Sequence, residues 1–222
     1  MKNQSINFKG INVSFTDIGK GKAVVFLHGF LGDKSIWTNF IKPFPKSKFR
    51  IVCIDLLGHG NTDSLSYVHN VDEMADAVQA VLNHLQLKKY FIVGHSMGGY
   101  VGLSLAEHNP DAIRGLVMFH STARGDSKEK KKDRNRAIKV VKRNAKIFIE
   151  EAIPNLFNTE HKPNIRGIEK SKKLALNMSK QGIIASLEGM KDRLEREIVL
   201  KFAPYPVPVS YTHLTLPTKV TV

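Results

Sequence analysis

The sequence predicts an α/β protein, a mostly parallel sheet flanked by helices and carrying a helical cap. Three observations predict it. Strand-length, mostly apolar stretches at 23–27, 50–54, 90–93 and 113–119 are separated by loops and helical periodicity, the rhythm of parallel strands joined by crossovers. The first three of these runs end in glycine-punctuated loops, placing those loops on the rim where α/β proteins bind ligands. From about Asp126 to Val199 helical periodicity continues with no convincing strand, which marks an insertion of lid size.

Residues 6–8 and 11–17 cluster apolar side chains around Gly10, as an antiparallel hairpin at a sheet edge would. Ala23-Val24-Val25-Phe26-Leu27 is unbroken, the pattern of a strand covered on both faces, and it ends in His28-Gly29-Phe30-Leu31-Gly32. A short helix is expected at 37–41 with Ser35 as its cap. The strand at 50–54 closes on Asp55-Leu56-Leu57-Gly58-His59-Gly60-Asn61-Thr62-Asp63. Met74, Val78, Val81, Leu82 and Leu85 repeat at helical spacing over 72–85. The strand at 90–93 leads to Ser96 and a helix over 100–108, Pro110 marks a stop, and 113–119 is the next strand. Helices follow at 137–145, 147–153, 168–178 and 183–196, and Ala203-Pro204-Tyr205-Pro206-Val207 reads as a return to the sheet. The organisation is therefore a core over 1–122, a helical cap over 123–199, and a final segment over 200–222 that starts a core strand.

A chain of 222 residues buries a core without disulfides or metals. The single cysteine, Cys53, lies in Ile51-Val52-Cys53-Ile54 and reads as a small buried hydrophobe in a reducing compartment. The first residues lack the apolar stretch of a signal peptide and no run is long enough to span a bilayer, so a cytoplasmic protein is expected. A formal charge of +14 raises nucleic acid or an anionic membrane as partners. Its distribution speaks against both. The densest basic stretch, 128–136, is interrupted by acids and has no interleaved aromatics, as a solvated helix face would.

The chemistry concentrates in Gly94-His95-Ser96-Met97-Gly98-Gly99, between a strand and a helix. A serine on so sharp a turn has a strained, positive-φ backbone, and side chains two positions either way would collide with the turn. Gly94 and Gly98 remove those Cβ atoms. The hydroxyl is then exposed at a helix mouth, where backbone N–H groups can meet a developing oxyanion.

Leu27-His28-Gly29-Phe30, Asp55-x-x-Gly58-x-Gly60-x-Thr62 and Gly94-His95-Ser96-Met97-Gly98-Gly99, in that order at the ends of successive strands, resemble the α/β-hydrolase superfamily. The cap-bearing branch of small esterases and related hydrolases is the most similar, over roughly residues 5–207. The resemblance implies that Ser96 is a nucleophile, that the N–H groups of Phe30 and Met97 form an oxyanion hole, and that Gly29, Gly94, Gly98 and Gly99 shape the elbow and its facing loop. It implies a small-molecule ester, thioester or related acyl substrate, an acyl-enzyme, and no cofactor or metal. His28, Leu31, His95 and His120 are candidate pocket residues. His28 reads as structural rather than as a base, and His59 as a tie for its own loop. His69, His84, His108 and His161 have no motif around them. Carbon–carbon bond cleavage, lyase chemistry, and small-molecule binding without catalysis remain alternatives.

The pattern breaks at its end. The family places an acid and then a histidine after the cap, whereas the last acidic residue here is Glu197 and the only later histidine is His213. The sequence therefore reads as lacking its C-terminal strands and helices. The stretch after Val207 reads as translated adapter or vector sequence, with a genuine short edge strand as the alternative. Feeble hydrolysis of activated esters at most is expected of these 222 residues.

Overall fold

A computed structural model describes residues 2–157 and 164–210. β1 (Gln4–Phe8) and β2 (Ile11–Gly19) form the expected antiparallel hairpin. With β3 (Lys22–Leu27), β4 (Phe49–Ile54), β5 (Tyr90–His95), β6 (Ile113–Phe119) and the two-residue β7 (Val209–Ser210) they make a seven-stranded sheet of order β1-β2-β4-β3-β5-β6-β7. β2 meets β4 antiparallel, and every pairing from β4 across to β7 is parallel.

The unbroken apolar runs have a simple cause. Along β3, Ala23, Val25 and Leu27 enter one core while Val24 and Phe26 enter the other, because successive strand side chains point to opposite faces. The first face is covered by α1 (Val71–His84) and α2 (Met97–His108). The second is covered by the 34–49 segment, where the Phe26 ring packs 5.1 Å from Trp37 and 6.0 Å from Phe44, almost perpendicular to the latter. Cys53 is buried on that side, its thiol pushed up to about 12 by burial, which keeps it an inert hydrophobe.

The helix expected at 37–41 is instead a 3-10 turn over Lys34–Trp37, and Asp33 rather than Ser35 is its cap, accepting from the Ser35 N–H at 2.8 Å. Pro43 and Pro45 follow too closely for a full α-helix to form. α1 begins where Asn70 accepts from the Glu73 N–H, and it buries Met74, Val78, Val81 and Leu82 as its periodicity predicts.

No strand interrupts the described residues between 126 and 199, as expected. The helices there are α3 (Lys128–Arg143), α4 (Ala145–Ala152), α5 (Ile165–Leu176), α6 (Lys180–Lys191) and α7 (Glu197–Lys201). α3 starts well before 137, because the Ser127 side chain accepts from the Lys130 N–H and caps the lysine-rich turn. α6 stops at Lys191 rather than 196, and the residues after it bury two arginines. Arg193 pairs with Asp126, which also pairs with Arg134, and its guanidinium lies 4.0 Å over the Tyr100 ring. Arg196 pairs with Asp72 and with Glu107 at 2.8 Å, joining this stretch to α1 and α2.

The return to the sheet begins at Pro206, within the expected 203–207, and continues into β7. The carbonyls of Pro206, Pro208 and Ser210 accept from the N–H groups of Leu116, Met118 and His120 at 3.1, 2.9 and 2.8 Å. Residues after Val207 were expected to stand apart from the fold, yet Val209 and Ser210 pair with Met118 and Phe119 as β7. Pro208 fits because its carbonyl, not its missing N–H, faces β6. His161, His213 and the rest of the terminal stretch lie outside the described residues. Among the described residues no helix is long and apolar enough to cross a membrane.

Candidate active site

Ser96 sits between the end of β5 and the start of α2 with φ +49° and ψ −113°, a backbone conformation a non-glycine residue adopts only when its surroundings hold it there. Three hydrogen bonds do so. The Ser96 N–H donates to the Phe119 carbonyl at 2.9 Å, and the Ser96 carbonyl accepts from the Gly99 N–H at 2.9 Å and the Ser121 hydroxyl at 2.8 Å. A Cβ on Gly94 would lie 2.5 Å from the Gly98 carbonyl oxygen, and one on Gly98 would lie 2.7 Å from that of His28. One on Gly99 would overlap the Ser121 side chain. Gly94 and Gly98 are thus required by close backbone contact, and Gly99 by the Ser121 side chain.

The loop after β3 runs alongside. A Cβ on Gly29 would be 2.6 Å from His95 Nδ1 and 3.3 Å from Ser96 Cβ, so this backbone is as close to Ser96 as packing allows. His28 is buried beneath the loop: its Nδ1–H donates to the Gly29 carbonyl at 2.8 Å and its Nε2 accepts from the Leu56 N–H at 2.9 Å. Both ring nitrogens are therefore occupied, and burial, outweighing nearby Asp55, lowers its pKa. Gly32 N–H closes the turn onto the Gly29 carbonyl at 3.1 Å, with Leu31 buried at φ +63°. The Phe30 ring packs 6.1 Å from His59 and 6.5 Å from Phe148 of α4. Among the described residues, neither the Phe30 N–H nor the N–H of buried Met97 has a hydrogen-bond acceptor.

The loops after β3 and β4 are joined by a carboxylate that the motif alone did not reveal as a hub. Asp55 accepts from the Lys34 ammonium, from the Lys34 N–H at 2.7 Å and from the Asn61 N–H at 3.0 Å, while its own carbonyl accepts from the Thr62 hydroxyl at 2.8 Å. Lys34 also reaches the Ser14 hydroxyl at 3.0 Å. Asp55 is fully enclosed, so its charge depends on these partners. The signal for it was its place between Ile54 and Leu56-Leu57, where every neighbour in sequence is buried. His59 ties its own loop as expected, its Nδ1–H donating to the Leu57 carbonyl at 2.9 Å. Its pKa is well below the ordinary value, chiefly through burial.

His95 and His120 gather on the other side of Ser96. Burial, helped by nearby His120, brings His95 down to about 4, and its buried Nδ1 has no partner among the described residues. His120, at φ +50°, stacks 4.7 Å from Phe119 and 6.2 Å from His95. His108 bonds the Ser104 carbonyl at 2.9 Å and His84 packs on Phe15, both away from the turn. Within the described residues, then, Ser96 has two unpaired N–H groups beside it and no imidazole or carboxylate hydrogen-bonded to its hydroxyl. No group of three or more metal-ligating side chains occurs among them. Ser121, Phe148 and Lys34 went unforeseen, since each acts through a partner distant in sequence.

A family model described as the alpha/beta hydrolase fold matches residues 22–172. A dihydrolipoyllysine-residue acetyltransferase component of an acetoin cleaving system from Pseudomonas putida is 35% identical over 107 residues, 48% of this chain and 29% of that protein. A putative 2-succinyl-6-hydroxy-2,4-cyclohexadiene-1-carboxylate synthase from Bacillus subtilis is 31% identical over 217 residues, 90% of this chain and 76% of its own. Among solved structures, a thermophilic esterase from Thermogutta terrifontis with malate bound superposes with a TM-score of 0.86 at 30% identity, over 94% of this chain and 79% of that one.

Proposed function

The chain belongs to the α/β-hydrolase fold family, and from that premise we propose that Ser96 is the nucleophile of a serine hydrolase acting on a small ester, thioester or related acyl substrate. The observation that carries this reading is the backbone of Ser96 itself, strained at φ +49° and held there by Phe119, Gly99 and Ser121. Such strain serves to lift the hydroxyl clear of the sheet. Its hydroxyl attacks the substrate carbonyl, the carbonyl oxygen takes up negative charge, and the Phe30 and Met97 N–H groups, unpaired in the free protein, stabilise it. The Ser96 proton passes through solvent to the leaving oxygen or sulfur as collapse expels the alcohol or thiol and leaves an acyl group on Ser96, and water then releases the acid and restores the hydroxyl. Gly29, Gly94, Gly98 and Gly99 permit the approach. His95, His120 and Leu31 border the turn, and His28 supports it from below. The helices over 128–201 act as the cap that bounds the acyl group.

A small fluorophosphonate tests this. Labelling of Ser96, abolished in Ser96→Ala, is the expected result, and an unlabelled wild type overturns it. Because no described base reaches the hydroxyl, labelling and turnover of p-nitrophenyl acetate by these 222 residues are expected to be slow, oxyanion donors alone supplying the rate. A second reading, lyase chemistry on the same fold, stands beside it because the B. subtilis relative is named a putative synthase and not a hydrolase. An acetyl adduct on the Ser96 peptide after acid quench selects the hydrolase.

A further inference from the structure

The aim of the Phe30 and Met97 N–H groups is decided at the other end of their own peptides. A trans peptide is planar, with its carbonyl and its N–H pointing opposite ways, so whatever fixes the carbonyl fixes the N–H with it. The Phe30 N–H shares its plane with the Gly29 carbonyl, and the Met97 N–H shares its plane with the Ser96 carbonyl. Both carbonyls accept two hydrogen bonds, in the same pattern. One comes from the backbone three residues on, the Gly32 N–H at 3.1 Å and the Gly99 N–H at 2.9 Å. The other comes from a buried side chain, the His28 Nδ1–H at 2.8 Å and the Ser121 hydroxyl at 2.8 Å.

The backbone bond closes a turn within one loop, whereas the side-chain bond ties that turn to the end of a neighbouring strand. His28 is anchored on its far side by the loop after β4, where the Leu56 N–H donates to Nε2 at 2.9 Å and so fixes the tautomer that carries its proton on Nδ1. Ser121 follows β6, and its side chain is wedged so closely against Gly99 that a Cβ there would overlap it. Resting on the reading of Ser96 as nucleophile and of Phe30 and Met97 as oxyanion donors, we propose that His28 and Ser121 are positioning residues. His28 aims the Phe30 N–H and Ser121 aims the Met97 N–H, each by holding the carbonyl of the donor's own peptide. The oxyanion hole is thus two peptides gripped from behind, one through the loop after β4 and one through the end of β6.

The test uses the full chain made in a cell-free system, one sample with carbonyl-labelled glycine and nitrogen-labelled phenylalanine, another with carbonyl-labelled serine and nitrogen-labelled methionine. Gly29-Phe30 and Ser96-Met97 are each the only dipeptide of their kind in the sequence, so each sample gives a single selected amide resonance, that of the donor itself. A methyl fluorophosphonate forms the Ser96 adduct, whose phosphoryl oxygen stands in for the oxyanion. Both amide protons are expected to move downfield when it forms. His28→Gln keeps an acceptor for Leu56 and loses the donor to Gly29. It is expected to slow labelling about 10-fold or more and to reduce the shift at Phe30 alone. His28→Asn keeps a donor at the Nδ1 position and is expected to restore both readouts. Ser121→Ala, which removes one oxygen, is expected to slow labelling likewise and to reduce the shift at Met97 alone. In the wild type the His28 Nδ1–H resonance is expected to move together with the Phe30 amide, because bonds in a chain polarise one another, and this decides the matter for His28 if His28→Gln fails to fold. A labelled wild type whose variants keep both rate and shifts overturns the proposal alone. So does a variant that slows labelling while moving both amides alike or neither, since the residue would then act only through the fold. An unlabelled wild type overturns the serine hydrolase reading and this proposal with it.

Discussion

Two parts of the helical segment are held in opposite ways. α6 is joined to the core through backbone. A Cβ on Gly182 would lie 2.6 Å from the Gly58 carbonyl oxygen, one on Gly189 would run into the His69 carbonyl, and the His69 N–H donates to the Ala185 carbonyl at 3.0 Å. Ile183, Ala185, Leu187 and Met190 are buried along it, and Arg193, just beyond, is locked to Asp126. α5 buries only Ala175 and leaves Ile165 and Leu176 exposed, while α4 buries Ile149 and leaves Ile147 in solvent. The lesson is that α6 is part of the core, whereas α4 and α5 are perched on it. Local opening is then expected in α4 and α5 before α6.

The largest effect that can break this contrast is at the foot of α6. Arg193→Met leaves the buried Asp126 with Arg134 alone and is expected to cost about 3–5 kcal/mol in the denaturant midpoint. Lys146→Met on α4, which removes an exposed pair with Glu150 at 3.9 Å, is expected to cost under about 0.5 kcal/mol. Equal costs would remove the distinction. Next comes glycine replacement. Gly189→Ala places a methyl against backbone and is expected to cost about 1–3 kcal/mol. Gly167→Ala on α5 meets only the Asn164 side chain and is expected to fall within about 1 kcal/mol of neutral, helped by alanine's helix propensity.

The smallest effect sharpens the contrast through pH. His69, on the seam under α6, is brought from 6.5 to about 4, chiefly by burial. The unfolded chain therefore takes up its proton at higher pH than the folded one. Stability is complete above about 6.5, falls as the pH drops towards about 4, and falls no further from this group below that. Protection of the His69 amide from hydrogen exchange, taken relative to the intrinsic rate at each pH, is expected to fall as the pH drops through that window, and His69→Gln to flatten the midpoint's pH profile in part. His28 and His59, lowered in the same direction, retain the remainder.

Strands β3 to β6 were legible because most of each strand is buried on both faces, so apolar residues dominate their runs and charged ones such as Arg50 and Arg114 fall near the strand starts. The elbow was legible because its chemistry is local: Gly94, Ser96 and Gly98 satisfy one another within five residues. What escaped notice acts at a distance. Arg193 and Arg196 stand among charged neighbours and read as solvated, and only Asp126, Asp72 and Glu107, far away in sequence, make their burial tolerable. Periodicity marked the apolar side of α6 and was silent about Gly182 and Gly189, which matter through the backbone they admit. Phe148 is one apolar residue in an apolar stretch, and nothing local distinguishes it from Ile147 or Ile149. The 3-10 turn at Lys34 was missed because Asp33 and two prolines outweigh the helical spacing of Trp37 and Ile41.

The Lys34–Asp55 pair has a consequence for how sequences of this kind change over time. Replacing Lys34 alone strands the buried Asp55 charge, and replacing Asp55 also leaves the Asn61 and Lys34 N–H groups without their acceptor, so a matched double replacement relieves the charge but not the two backbone donors. The loops after β3 and β4 are inherited as one unit. Exposed positions of α4 and α5 can change singly, whereas Asp55 and its partners, like Arg193 and Asp126, are coupled positions at which one change alters the cost of the next.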